Sequence, residues 1–303
     1  MKRILIIILF YAQIAAAQTY VSFLDVAMTN TLSNSVNFAE KTTVPFFLVE
    51  GMMVVEATVN HQKGNYIIDT GAPTLVLNEK PSTKTGARAR GISDGLLTDE
   101  VTIQHFYWSG IQKKNLTAFK VDISHLERVS GRRLAGIIGY DILKEVALLV
   151  DYETKTVQLS PRRAKLNRTP LAIIPFTMQA HLPVIKVKIG KRKLKLALDT
   201  ASESNILDQK MLKRLDQNWI TSLRKGEIQG VDQQVKEVDV VEVSATEVKN
   251  LSFEKMAYLA TDLAHLRKQS DLHIDGLLGY PFFKQAKISI NYAEQRIYVW
   301  SRE

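Results

Sequence analysis

Two aspartates sit in nearly the same surroundings 130 residues apart in the 303-residue chain. Asp69 closes the run Tyr66-Ile67-Ile68 and leads into Thr70-Gly71-Ala72. Asp199 closes Leu196-Ala197-Leu198 and leads into Thr200-Ala201-Ser202. A carboxylate at the end of an apolar strand is carried by that strand, so two such strands related by a twofold axis can bring their carboxylates face to face. Like charges at short range cannot both ionise, and the pair keeps one proton. The ionised member can then take a proton from water while the protonated member polarises a carbonyl. Thr70 and Thr200 supply hydroxyls that can anchor each loop. Gly71 lets the backbone bend close to a carboxylate without a Cβ. Ala201 keeps the amide donor and adds a methyl, which would cost roughly 1–2 kcal/mol if that position required a left-handed backbone.

The elements that must position these residues are duplicated as well. Pro45-Phe46 precedes Asp69 by the same distance as Pro175-Phe176 precedes Asp199. Further along, the offset becomes 140. Asp122, His125 and Leu126 match Asp262, His265 and Leu266; Gly136-Ile137-Ile138-Gly139-Tyr140 matches Gly276-Leu277-Leu278-Gly279-Tyr280; Lys144 and Tyr152 match Lys284 and Tyr292. A net insertion of ten residues in the second half (140 − 130) accounts for the change. The period is far too long for a solenoid, so the chain is a duplicated domain.

Both halves read as strands. Met53 to Val59 leads through the polar stretch His61-Gln62-Lys63-Gly64-Asn65 into Tyr66-Ile67-Ile68, a hairpin pattern, and Val184 to Ile189 leads through Gly190-Lys191-Arg192-Lys193 into Leu194 to Leu198. Each half ends in another hairpin: Val146 to Tyr152 with Thr156 to Leu159, and Ile288 to Tyr292 with Arg296 to Trp300. Short helical turns are expected at Tyr140 to Glu145, Asp208 to Asp216 and Asp122 to Val129.

Composition places limits on the rest. The chain is 46% hydrophobic and 23% charged, the balance of a globular protein long enough for two cores. Its net charge of +9 includes Lys2 and Arg3, and no long basic run or arginine–aromatic repeat accompanies it, which argues against nucleic acid as partner. Lys2-Arg3, the apolar stretch Ile4 to Ile14 and Ala15-Ala16-Ala17 have the order of a signal peptide cleaved before Gln18. The stretch is short of the ~20 residues a membrane span needs. The expectation is an exported protein, periplasmic or secreted, without stable membrane insertion. There is no cysteine, so no disulfide or thiol chemistry.

Asp69-Thr70-Gly71-Ala72 with Ile137-Ile138-Gly139, and Asp199-Thr200-Ala201-Ser202 with Leu277-Leu278-Gly279, resemble the retropepsin-like and pepsin-like aspartic proteases, with both lobes in one polypeptide. The resemblance covers about residues 45 to 300 and departs from the family pattern at Ala201. Gly139-Tyr140-Asp141-Ile142-Leu143 and Val150-Asp151-Tyr152 look like the endings of bacterial exported members. It implies a mostly β fold, two homologous barrel lobes about a pseudo-twofold axis, with catalytic Asp69 and Asp199 supported by Thr70, Gly71, Thr200 and Ala201. It implies an aspartic endopeptidase acting on peptides or proteins, with no metal or organic cofactor. Flaps over the cleft are expected at Ile92-Ser93-Asp94-Gly95 and Val231-Asp232-Gln233, which would touch substrate. The organisation expected is a signal peptide at 1–17, a segment of unassigned role at 18–43, a first lobe at 44–160, a linker at 161–169 and a second lobe at 170–303.

The remaining candidates have plainer readings. His125 and His265 read as structural repetition rather than ligands, and Asp122 and Asp262 as cap or turn residues. Gly139 and Gly279 read as threading positions, and Trp108 as core or cleft wall. Ser202 and Ser204 lack a base partner. A second reading stays open at Ala201: a catalytically silent peptide-binding protein that retains cleft and flaps.

Overall fold

The structure is a computed structural model and describes residues 41–82, 87–90, 96–162, 168–229, 235–264 and 272–302, with short backbone strands at 3–5, 10–13 and 34–36. The expected flap residues Ile92, Ser93, Asp94 and Gly95, and Val231, Asp232 and Gln233, lie outside the described residues, as do His265 and Leu266.

The fold is mostly β, with two lobes of the same design. In the first, Met52–Val59 and Gln62–Ile68 form a hairpin, and the long strands Leu96–Trp108 and Ile111–Val121 form another. Leu75–Asn78 runs parallel to Ile111–Val121, while Gly136–Ile138 runs parallel to Gln62–Ile68 and antiparallel to Leu75–Asn78. The second lobe repeats every one of these pairings with Leu182–Ile189, Arg192–Leu198, Asn205–Asp208, Val235–Val248, Leu251–Thr261 and Gly276–Leu278. Strand Ile220–Gln229 extends that sheet.

The first hairpin corrects the turn expected over residues 61–65. Asn60 and His61 both take left-handed backbone, at φ 46° and 67°, and close a two-residue turn, so the strand already begins at Gln62. Gly64 is strand, and its missing side chain leaves room for Ala135, which a Cβ there would strike. In the second hairpin Gly190, at φ 56°, starts the turn and the strand resumes at Arg192.

The two lobes are joined by a six-stranded sheet to which both contribute. Its order is Ala172–Pro175, Arg296–Trp300, Lys287–Asn291, Val146–Asp151, Thr156–Pro161, Thr42–Pro45. The two terminal hairpins meet at its centre, with Ala147 opposite Asn291 and Val150 opposite Ile288. The strands are apolar where they face inward, and one core cluster runs from Val44 and Phe46 through Leu148 and Val157 to Ile288, Ile290 and Val299.

The expected helices are present and short. Ser124–Ser130 and Gln209–Leu212 follow aspartates that accept amide bonds at their starts. Tyr140–Leu143 and Tyr280–Phe283 follow Gly139 and Gly279 directly.

Candidate active site

Each aspartate leaves its strand where a second short strand runs alongside. Asp69 N donates to Ile138 O at 3.0 Å and Asp199 N to Leu278 O at 3.0 Å. The pairing of Tyr66-Ile67-Ile68 with Gly136-Ile137-Ile138 thus sets where each loop begins. The loop then folds back: Ala72 N donates to Asp69 O at 3.3 Å and Ser202 N to Asp199 O at 3.4 Å. Behind it passes the later glycine. A Cβ on Gly139 would meet the carbonyl oxygens of Ala72 and Thr74, and one on Gly279 those of Ser202 and Ser204, so these are threading positions.

The two loops are tied to one another by their threonines. Thr70 N donates to Thr200 Oγ1 at 3.1 Å, and Thr200 N to Thr70 Oγ1 at 3.1 Å. Each hydroxyl then donates onward, Thr70 Oγ1 to Leu198 O at 3.0 Å and Thr200 Oγ1 to Ile68 O at 2.9 Å. Every hydroxyl therefore bonds the other lobe's backbone, all of it buried.

This sets Asp69 and Asp199 side by side, both fully buried: a Cβ on Gly71 would lie 2.9 Å from Asp69 Oδ1 and 3.0 Å from Asp199 Oδ2. Gly71 N donates to Asp69 Oδ1 at 2.6 Å and Ala201 N to Asp199 Oδ1 at 3.0 Å. Among the described residues neither Oδ2 receives a donor. Burial, foremost, raises both carboxyl pKa values, and at Asp69 the charge of Asp199 raises it further. The amide bonds oppose this without cancelling it. A pair so placed is satisfied by holding one proton between two carboxylates, and its titration belongs to the pair.

Ala201 sits here without strain: its φ is not positive. Its methyl is buried in an apolar cluster with Met52, Val54, Ile67 and Ile137. The conditional cost of a left-handed alanine therefore does not arise. Gly71 differs, since a Cβ there would stand 2.9 Å from Asp69 Oδ1 and 3.0 Å from Asp199 Oδ2.

Aromatic rings that cross between lobes lie near the pair. Tyr152 packs edge-on against Tyr280 and Phe46, and Tyr292 against Tyr140 and Phe176, with centroids 5.1 to 6.0 Å apart. Burial, then neighbouring tyrosines and the dyad's charge, raise the pKa of Tyr152 and Tyr292 and keep them neutral.

Several side chains near the site escaped the sequence reading. Thr74 Oγ1 donates to Asp141 Oδ2 at 2.6 Å, and Lys113 Nζ reaches Asp141 O at 2.8 Å and Glu145 Oε1 at 3.1 Å, all buried. Arg162 closes this cluster on Glu145. The second lobe places Phe253, Pro281 and Gln285 at the positions of Lys113, Asp141 and Glu145, and that loss of repetition was the available signal. His181, against Gly71, is another such residue.

The other candidates have no place at the carboxyl pair. Asp122 and Asp262 accept the amides of Ser124 at 3.0 Å and Ala264 at 2.7 Å and are turn residues. Trp108 is core, and Ser202 Oγ donates to Ser204 O at 2.7 Å. His125 is buried on its short helix.

No curated protein matches the chain. Residues 185–282, which include Asp199, Thr200 and the Gly276–Leu278 strand, match the family model described as aspartyl protease. The match lies within the second lobe, whose strand pairings the lobe of Asp69 repeats.

Proposed function

We propose that the chain is an aspartic endopeptidase that hydrolyses peptide bonds with a water activated between Asp69 and Asp199. The observation that carries this reading is the reciprocal threonine tie, because it holds two buried carboxyls side by side with, among the described residues, no donor on either Oδ2. In the starting state one proton is shared. The ionised carboxylate accepts a proton from water as the water oxygen bonds to the scissile carbonyl carbon. The protonated carboxyl donates to the carbonyl oxygen, where charge develops. The tetrahedral intermediate then collapses: the pair gives its proton to the leaving nitrogen, the C–N bond breaks, and one hydroxyl of the intermediate returns its proton to the pair as the carbonyl re-forms. Neither carboxylate can perform both transfers alone.

The pair must hold one proton, so activity is bell-shaped in pH. Because burial raises both groups, the singly protonated state reaches above the usual carboxylate range. Substrates are peptides or proteins under the expected flaps. Export with cleavage near Ala17 is part of the same proposal.

The silent peptide-binding reading rested on Ala201. Its amide still donates to Asp199 and its backbone is unstrained, so the substitution gives no reason for loss of turnover. The deciding experiment is digestion of a diverse peptide library by wild type, Asp69→Asn and Asp199→Asn from acid to neutral pH. Cleavage by wild type alone is expected. No cleavage by wild type at any pH, with unchanged peptide affinity in the asparagine variants, would establish the silent reading. Cleavage that survives Asp199→Asn would remove the paired mechanism.

A further inference from the structure

The duplication breaks beside the carboxyl pair at two positions. At the 130-residue offset His181 corresponds to Gly51, and Ala201 to Gly71. His181 lies in the turn between Thr177–Gln179 and Leu182–Ile189 of the second lobe and is buried. Its Nε2 stands 2.7 Å from the carbonyl oxygen of Gly71, in the first lobe's loop. A carbonyl only accepts, so Nε2 carries the hydrogen. Burial, foremost, lowers the imidazole pKa to about 4, and the ring is neutral with Nδ1 unprotonated.

The opposite crossing is filled the other way round. Gly51 has no side chain, takes φ 84°, and a Cβ there would come within 2.8 Å of Tyr280 Cβ. Its partner position in the loop carries the extra methyl instead, that of Ala201, which packs with Met52, the neighbour of Gly51. At one crossing a large side chain on the turn meets a glycine of the loop; at the other a glycine on the turn faces an alanine.

The consequence falls on one loop. The Gly71 amide donates to Asp69 Oδ1 at 2.6 Å, whereas the Ala201 amide stands 3.0 Å from Asp199 Oδ1. Among the described residues, His181 of the other lobe sits on the carbonyl of Gly71 in the first loop. We propose that His181 is a positioning residue, which grips the Gly71 carbonyl from the second lobe and so holds the Gly71 amide on the Asp69 carboxyl. It makes the two halves of a duplicated motif inequivalent. Its effect on turnover rests on the reading of Asp69 as half of the catalytic pair; the grip itself does not.

The test uses the full chain, isotope-labelled, as wild type, His181→Ala and His181→Gln. Glutamine supplies an amide donor in place of Nε2; His181→Leu, which keeps volume without a donor, replaces the alanine variant if that one does not fold. Amide hydrogen exchange is read at Gly71 and, in the same sample, at Ala201. Loss of the grip should speed exchange at Gly71 about 10-fold relative to Ala201, the size of one hydrogen bond, with recovery in the glutamine variant. On a mixed peptide library kcat should fall with KM nearly unchanged, and glutamine should restore it. Equal acceleration at both amides, or none at Gly71, would overturn the positioning role. So would a glutamine variant that behaves like alanine. If wild type cleaves nothing, the proposed activity fails, while the exchange comparison still decides the grip.

Discussion

Thr200→Val removes one hydroxyl and keeps the volume of the side chain, so it isolates what the tie between the loops contributes. That hydroxyl accepts from Thr70 N at 3.1 Å and donates to Ile68 O at 2.9 Å. A net hydrogen bond is worth about 1 kcal/mol, but a buried partner left without one costs about 1–3 kcal/mol. The second figure governs here, because both lost partners are buried backbone groups and valine offers them nothing. Two such groups put the loss at roughly 2–6 kcal/mol. Against a total stability of about 5–15 kcal/mol the protein should remain folded, with a clearly lower urea midpoint and an unchanged m-value. Thr70→Val should lose nearly as much, since the mirrored hydroxyl bonds Thr200 N at 3.1 Å and Leu198 O at 3.0 Å. Thr200→Ser keeps the hydroxyl and should stay within about 1 kcal/mol of wild type. Peptide cleavage by the valine variants should fall further than their stability, because the carboxyls lose their mutual alignment. A Thr200→Val midpoint equivalent to a loss below ~0.5 kcal/mol would refute the reasoning: solvent would then replace the cross-lobe bonds freely.

The two loop positions should answer oppositely to exchange of glycine and alanine. Gly71→Ala should abolish turnover in the peptide assay, because its Cβ would stand 2.9 to 3.0 Å from both carboxyls. Ala201→Gly should preserve or raise turnover yet lower stability by about 1–2 kcal/mol in urea, from a buried methyl and added backbone freedom. Burial lifts the Asp141 pKa to about 6, so the folded chain holds a proton that the unfolded chain releases near 4. That stability is present in full below pH 4 and is lost as pH rises through about 6; unfolding of Asp141→Asn across this range should show a flatter fall, and an identical slope would count against it. N-terminal sequencing of protein recovered from the producing cell's envelope should begin at Gln18; an intact Met1 or Lys2 would point to an uncleaved anchor.

The halves of this protein could be read from their letters because duplication writes the same message twice. The Asp-Thr pairs, the late Gly139 and Gly279, and the strands that carry them recur at fixed offsets, and apolar alternation tells which face of each strand goes inward. Turn location was less legible: a polar stretch around Gly64 looked like a loop, but Asn60 and His61 could take left-handed backbone and Gly64 was needed where Ala135 approaches. Family resemblance named both threonines as supports; it did not say that each hydroxyl serves the other lobe. Nor could any local pattern show that His181 reaches Gly71, or that Lys113, Asp141 and Glu145 meet in the interior. The physical reason is the same in each case. Periodicity is a property of neighbours along the chain, whereas these bonds join residues 28 to 132 positions apart: those of Lys113 exist only once the first lobe has folded, and those of the threonines and His181 only once the two lobes have packed against each other.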